Sequence, residues 1–349
     1  MKTFELSLSP EYVHTWTLWE AIRELLQNVQ DNPAETIFTF DEGQEIPDQG
    51  DLRIGNKDTT IAPRTLLLGV STKRNDENLI GEFGEGYKLS LLVLTRLGYP
   101  VTILNGPLLW KPRFADSEKF GEKILMIDEY PGDSDNKDFV VIVHGLDKSE
   151  LQMIQQNYLP GDHSTRILLD NEQKGRIFVG GLFVKQIDKL TYGYNFSPVV
   201  LKLGRDRNMV SDFDVSWQTS LLWAESTRVQ DIFELLMSEA FDIDNISHFT
   251  IRRADDIKER FEETFGERTI PCHFDAEYKQ ALQHGHPARR VGNEMNKIIR
   301  ALKPIRFPRE KNSFELLNEF IEKWGTRPDT QVVKWSDLRI ILDKIRHLQ

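Results

Sequence analysis

The chain of 349 residues has one cysteine, Cys272. An internal disulfide and a multi-cysteine zinc site are therefore excluded, and the composition suits a reducing compartment. No stretch approaches the ~20 consecutive apolar residues of a membrane-spanning helix, so no membrane association of that kind is expected. Positive charge is in deficit: 44 Lys and Arg stand against 55 Asp and Glu, for a net charge of −11. Wholesale attraction to nucleic acid or anionic lipid is excluded, which leaves only a local basic patch. There is no internal repeat, no low-complexity tract, no Walker-type phosphate loop and no evident Ser/His/Asp set. The run Met1-Lys2-Thr3-Phe4-Glu5 carries an acid early and lacks an apolar core, so no signal peptide is expected, and the single cysteine suits a cytoplasmic location.

What is present begins with Trp19 to Asp31, which predicts one amphipathic helix. At about 100° per residue, Glu24, Asn28 and Asp31 share one narrow stripe. Leu18, Ile22, Leu25, Leu26 and Val29 fall on the opposite side. A solvated face usually mixes Lys with Glu at i,i+4. This stripe instead offers carboxylate, carboxamide, carboxylate. Such a row suits a hydrated Mg²⁺, with Glu24 left to take a proton from water. The bland alternative is a wet helix face.

Two later stretches bear on that choice. Asp58-Thr59-Thr60-Ile61-Ala62-Pro63 follows the strand-like run Leu52-Arg53-Ile54. Ile80-Gly81-Glu82-Phe83-Gly84-Glu85-Gly86-Tyr87-Lys88 then enters an apolar helix. Glycines there let backbone N–H groups approach an anion at a helix N-terminus, where the dipole favours negative charge. Helix with Glu-x-x-x-Asn-x-x-Asp, strand-end Asp, and Gly-x-x-Gly-x-Gly before a helix, in that order, resembles the GHKL ATPase superfamily (gyrase, heat-shock chaperones, histidine kinases, MutL). The resemblance covers roughly the first 150 residues.

The resemblance implies an α+β fold: a Bergerat-type α/β sandwich with helices on one face of a mixed sheet. It implies ATP and Mg²⁺ as ligands. Glu24 takes the place of the general base and Asn28 that of the metal ligand. Asp31 closes the motif beside the nucleotide. Asp58 takes the place of the carboxylate that accepts the adenine amine, although a turn or cap residue fits it as well. The family's usual Asp-x-Gly-x-Gly departs here, with Thr60 and Ala62 in the glycine places, where side chains narrow the pocket. Gly81, Phe83, Gly84, Glu85, Gly86, Tyr87 and Lys88 take the phosphate-loop places. Ser71, Lys73 and Arg74 belong to the lid over the nucleotide. Lys202, Arg205 and Arg207 sit where a following domain returns a cation to the γ-phosphate. A surface ion-pair turn fits those three equally.

The expected organisation is a nucleotide domain over 1–160, a β-rich transducer-like domain over 161–212 and a mainly helical region over 213–349. Strands are predicted at Thr36–Phe40, Leu52–Gly55, Val101–Leu104, Ile124–Ile127 and Phe139–Val143. Helices are predicted at Ile61–Val70, Tyr87–Leu97 and, with Asp147 as its cap, up to Asn157. A hairpin is predicted around Gly180-Gly181. Farther on, helices are expected at Gln230–Phe241, Asp255–Phe265, Phe314–Trp324 and Trp335–Leu348. Cys272-His273 with His284 and His286 is too irregular for zinc. Arg289, Arg290, Lys297, Arg300, Lys303, Arg306, Arg309 and Lys311 form the most basic stretch, either a solvated face or a contact for a nucleic-acid or protein client. The function implied is ATP hydrolysis driving a lid and homodimer switch on a client. The alternative is a nucleotide-sensing protein with little turnover.

Overall fold

The structure is a computed structural model that describes residues 2–42, 49–66, 86–201 and 211–304, with 315, 319 and 340. It forms two compact units, residues 1–257 and 258–349.

The first unit is built on a seven-stranded sheet. Its strands are β1 (Lys2–Leu6), β2 (Thr36–Glu42), β3 (Gln49–Asn56), β4 (Val101–Asn105), β5 (Leu108–Ser117), β6 (Glu122–Pro131) and β7 (Phe139–Asp147), in the order β1-β6-β5-β4-β7-β3-β2. Three helices pack against it: α1 (Leu18–Gln30), α2 (Gly86–Leu97) and α3 (Lys148–Asn157). The fold is thus α+β, as expected. The mixed sheet is not: every neighbouring pair is antiparallel. Strands joined through a helix tend to lie side by side and parallel, which is what the helix–strand alternation predicted. Here β7 inserts between β3 and β4. Those two strands run the same way but never touch, because each is antiparallel to β7.

Alternation along the strands sends one set of side chains to the helices. Ile54, Val141, Ile103 and Trp110 lie opposite one another across four strands. They share a buried core with Ile22, Leu25, Leu26 and Val29 of α1 and Leu89 and Leu92 of α2. Ser90 Oγ of α2 donates to the Ala21 carbonyl of α1 at 2.8 Å, so the two helices touch closely. In α1, Glu20 Oε2 accepts the Thr17 backbone N–H at 2.8 Å, one half of a capping box. The helix stops at Asn32-Pro33, as predicted, with Asp31 as its C-cap. Asp147 caps α3 by accepting the Glu150 N–H at 2.9 Å.

The helix expected over Ile61–Val70 is, within the described residues, a 3₁₀ turn at Pro63–Leu66. Asn105 explains the late start. Its carboxamide takes the Ile61 N–H and returns a bond to the Ile61 carbonyl, both at 2.9 Å, which holds that residue as an extended strand would.

After β7 and α3 comes a four-stranded sheet of β8 (Arg166–Leu168), β9 (Arg176–Val179), β10 (Leu182–Gln186) and β11 (Gly193–Phe196), ordered β10-β9-β11-β8. The β9–β10 hairpin turns at Gly180-Gly181 as predicted, and both glycines have positive φ, 57° and 78°. Next come α4 (Asp212–Glu225) and α5 (Val229–Ser238). The second unit opens inside α6 (Ala254–Phe265) and continues with β12 (Ile270–Cys272), α7 (Asp275–Gln283), β13 (Ala288–Arg290) and α8 (Asn293–Leu302). The helices predicted at Phe314–Trp324 and Trp335–Leu348 lie outside the described residues but for single positions.

Candidate nucleotide site

One end of the first unit gathers the chemistry. Asn56, the last residue of β3, lies opposite Phe139 at the start of β7, and Phe139 lies opposite Asn105 at the end of β4. The Tyr87 ring sits on Phe139, centroids 5.5 Å apart, which places the N-terminal turn of α2 over that row. The Asn56 carboxamide donates to the Val29 carbonyl and so brings the C-terminal end of α1 to the same place.

The polar stripe of α1 is not a wet face. Glu24 is 1% exposed, Asp31 9%, and Lys88 of α2 0%. Ionised side chains are almost never this buried unless engaged, and each of the three has a partner. Arg23 and Gln27, both 2% exposed, extend the set. They were missed in the sequence, yet the signal was there: Arg23, Gln27 and Asp31 repeat at i,i+4 beside the Glu24–Asn28 row. The helix is buried nearly all round because the sheet takes its apolar side and α2 and β10 take others.

Asn28 is half-buried, and its Nδ2 donates to the Glu24 carbonyl one turn back at 2.7 Å. A carbonyl acceptor demands the amide NH₂, so Oδ1 faces away from the helix backbone. A hard oxygen of that kind suits Mg²⁺ that keeps most of its ligands from water and phosphate. Among the described residues no three His, Cys, Asp or Glu side chains are grouped to hold a metal.

Gly86 is the first described residue of α2, and the glycines expected before it lie outside the described residues. The Tyr87 hydroxyl in that first turn is buried and has no hydrogen-bond partner among the described residues. Burial pushes its pKa well above that of an ordinary tyrosine, so it stays a proton donor. An orphaned buried donor fits a ligand that can accept a hydrogen bond at that place.

Asp58 lies elsewhere than expected. It is exposed on the turn after β3 with φ +47°, and its backbone N–H donates to Asp138 Oδ1 at 2.9 Å. The turn-residue reading describes this environment. The buried strand-end side chain is Asn56, two residues earlier and 3% exposed. The positive φ of Asp58 is a conformation that a glycine favours. Thr60 is exposed, and its Cγ2 lies 2.9 Å from where a Cβ on Gly106 would stand. Ser71, Lys73, Arg74, Gly81, Phe83, Gly84, Glu85, Lys202, Arg205 and Arg207 lie outside the described residues.

Of the other candidates, Arg306, Arg309 and Lys311 lie outside the described residues. Cys272 is buried in β12, and the His273 Nδ1 lies 3.3 Å from the Val291 carbonyl. In the basic stretch, Arg290 pairs with Asp275, Lys297 with Glu294, Arg300 with Glu277 and Lys303 with Glu262. A relay unseen in the sequence joins three strands: Asp51 Oδ2 lies 2.7 Å from His144 Nδ1, and His144 Nε2 lies 3.0 Å from Thr102 Oγ1. Asp51 also accepts the Gly145 N–H, where the β3–β7 register shifts, so it braces a bulge.

No protein-family model matches the chain, and no curated protein matches it. No helix among the described residues is long and apolar enough to cross a membrane.

Proposed function

We propose that the chain binds Mg-ATP at the end of the first unit where α1, α2 and β3 meet, and hydrolyses it to drive a conformational switch. The observation that carries this is the burial of Glu24 beside an Asn28 whose carboxamide oxygen faces away from its helix, with the α2 N-terminus over the same end of the sheet. Mg²⁺, when bound, neutralises phosphate charge. Asn28 Oδ1 contributes one ligand to it. Glu24 takes the proton from the attacking water. The backbone of the first α2 turn, the Tyr87 hydroxyl and Lys88 receive phosphate oxygens. Asn56 replaces Asp58 as the strand-end acceptor for the adenine amine, since Asn56 alone of the two is buried at the sheet edge of the site. Closure over the nucleotide pairs two copies of the chain, and the switch acts on a protein or nucleic-acid client.

The test is steady-state ATP turnover with Mg²⁺ by the full chain and by Glu24→Ala, with binding measured calorimetrically in parallel. Turnover lost by about 10²–10⁴-fold with binding retained is the expected result. Equal turnover in both proteins overturns hydrolysis. A second reading, a nucleotide sensor with little turnover, is favoured by the departure of Asp58-Thr59-Thr60-Ile61-Ala62 from the family's glycine pattern. Binding without turnover in the wild type would select it.

A further inference from the structure

The edge of the second sheet lies against α1. Trp19 Nε1, in the first turn of α1, donates to the Phe183 carbonyl of β10 at 3.1 Å. Gln30 Nε2, the last helical residue, donates to the Gly180 carbonyl at 3.1 Å. The two residues are about 16 Å apart along the helix axis, so the hairpin holds α1 at both ends. Glu24 and Asn28 lie between them.

The hairpin itself has little freedom. The Gly180 N–H donates to the Phe196 carbonyl at 2.8 Å and the Gly181 N–H to Asn195 Oδ1 at 2.9 Å. The Gly181 carbonyl accepts the Leu159 N–H at 2.8 Å. With the Gly180 carbonyl taken by Gln30, all four polar backbone groups of the turn are engaged. Asn195 is fully buried, and it also donates to the carbonyls of Asp162 and Ser164. One residue before it, Tyr194 bonds Trp223 of α4 and Asp242 beyond α5. A shift of α1 therefore moves a rigid turn whose next neighbours reach α4.

We propose that Trp19 and Gln30 are positioning residues, which fix α1 to the β9–β10 hairpin so that the ligand state of the α1 site is passed to the second sheet. This rests on the reading that Glu24 and Asn28 serve a nucleotide. Neither residue touches substrate. Each link to the hairpin is one side-chain N–H on a backbone carbonyl, so the change of a single donor removes it; Gln30 also hydrogen-bonds the Tyr158 side chain.

The experiment is hydrogen exchange by mass spectrometry on the full chain, with and without a non-hydrolysable ATP analogue and Mg²⁺, in wild type, Trp19→Phe and Gln30→Leu. In wild type, exchange slows in 18–30 and also in 176–186 when the analogue binds. In the variants the analogue still binds within about threefold and still protects 18–30, but the response of 176–186 falls by half or more. Turnover falls with KM little changed, because the base is misplaced while the binding groups remain. A hairpin response that persists unchanged in both variants overturns the proposal, as does a wild-type hairpin that ignores a ligand bound at α1. If the analogue protects nothing in wild type, the nucleotide reading fails by itself. The grip is then read in the ligand-free proteins, where both substitutions speed exchange at 180–183 if it exists and leave it unchanged if it does not.

Discussion

Asn56 Nδ2 donates to two carbonyls at once, those of Val29 and Ala34, each at 3.2 Å. One side chain thereby ties the end of β3 to the end of α1 and to the segment that follows it. With both amide hydrogens used, Oδ1 is the remaining edge, and it can only accept. A group that recognises an adenine amine must accept. Asp58→Asn is therefore expected to leave Mg-ATP affinity within about threefold, while Asn56→Leu lowers it tenfold or more and costs about 1–3 kcal/mol of stability through the two lost bonds. Calorimetric titration and urea denaturation of each variant separate the two effects. Loss of binding in Asp58→Asn with Asn56→Leu unaffected would return the role to Asp58. Asp58→Gly serves as a control, neutral or stabilising by up to about 1 kcal/mol, because the left-handed backbone there no longer carries a Cβ.

Tyr87 gives a prediction with two opposite signs. Its hydroxyl is buried without a partner, which costs roughly 1–3 kcal/mol in the ligand-free protein. Tyr87→Phe removes that cost and keeps the ring on Phe139. The ligand-free variant should be more stable by about 1 kcal/mol, yet bind Mg-ATP more weakly by about fivefold to tenfold. Thermal melts with and without nucleotide measure both at once. A variant that is destabilised without ligand would mean that the hydroxyl is satisfied after all.

Local signals carried most of the first unit. The β-branched run at Phe139–Val143, the Asp147 cap, the Asn32-Pro33 stop and the Gly180-Gly181 turn all act within a few residues, and all four were legible. β5 was not, since Pro112 and flanking cations break its pattern. Its ladder to β4 ends at Trp110, so Pro112 lies where β5 has a partner on one side only, and its missing N–H leaves no gap on the β4 side. Strand order was equally hidden. Nothing local states that β7 inserts between β3 and β4. In the site, the Glu24–Asn28–Asp31 stripe was readable from spacing, but its burial was not, because α2 and β10 cover it from far along the chain. Asn56 was missed because a carboxamide carries no motif until its two carbonyl acceptors are seen.

Acid should loosen the sheet at Asp128. The Arg113 guanidinium, 2.6 Å away, holds the Asp128 carboxyl below the usual carboxylate range, with Thr3 assisting and burial opposing. A folded pKa below the unfolded one means that the stabilisation is complete above the unfolded value, about 3.9. It is lost as pH falls through the lower folded value. Arg113 is nearly half exposed, so solvent screening limits the effect to about 1 kcal/mol. Asp128→Asn should be less stable than wild type at neutral pH by that amount and should show a shallower loss of stability below about pH 4. Urea midpoints measured across that range decide it. Parallel curves for the two proteins would remove Asp128 from the acid response.

Asp242 is the strictest test of the second sheet. It is fully buried, and its carboxylate accepts the Thr191 N–H at 2.8 Å, the Tyr192 N–H at 3.2 Å and the Tyr194 hydroxyl. Trp223 Nε1 donates to that same tyrosine oxygen at 2.8 Å, so one carboxylate organises β11, the segment before it and α4. Asp242→Ala leaves three donors facing an apolar void, at a cost of about 3–5 kcal/mol. Asp242→Asn keeps one acceptor oxygen, which serves Tyr192 and Tyr194, but sets its NH₂ against the Thr191 N–H, so about 2 kcal/mol is expected. Tyr194→Phe loses its own donor and strands the Trp223 N–H, for about 1–2 kcal/mol. Because Tyr194 acts through Asp242, the double variant with Asp242→Ala should cost less than the sum of the two single changes. Strict additivity in urea denaturation would show that the two side chains act independently, and that the carboxylate is held by the backbone alone.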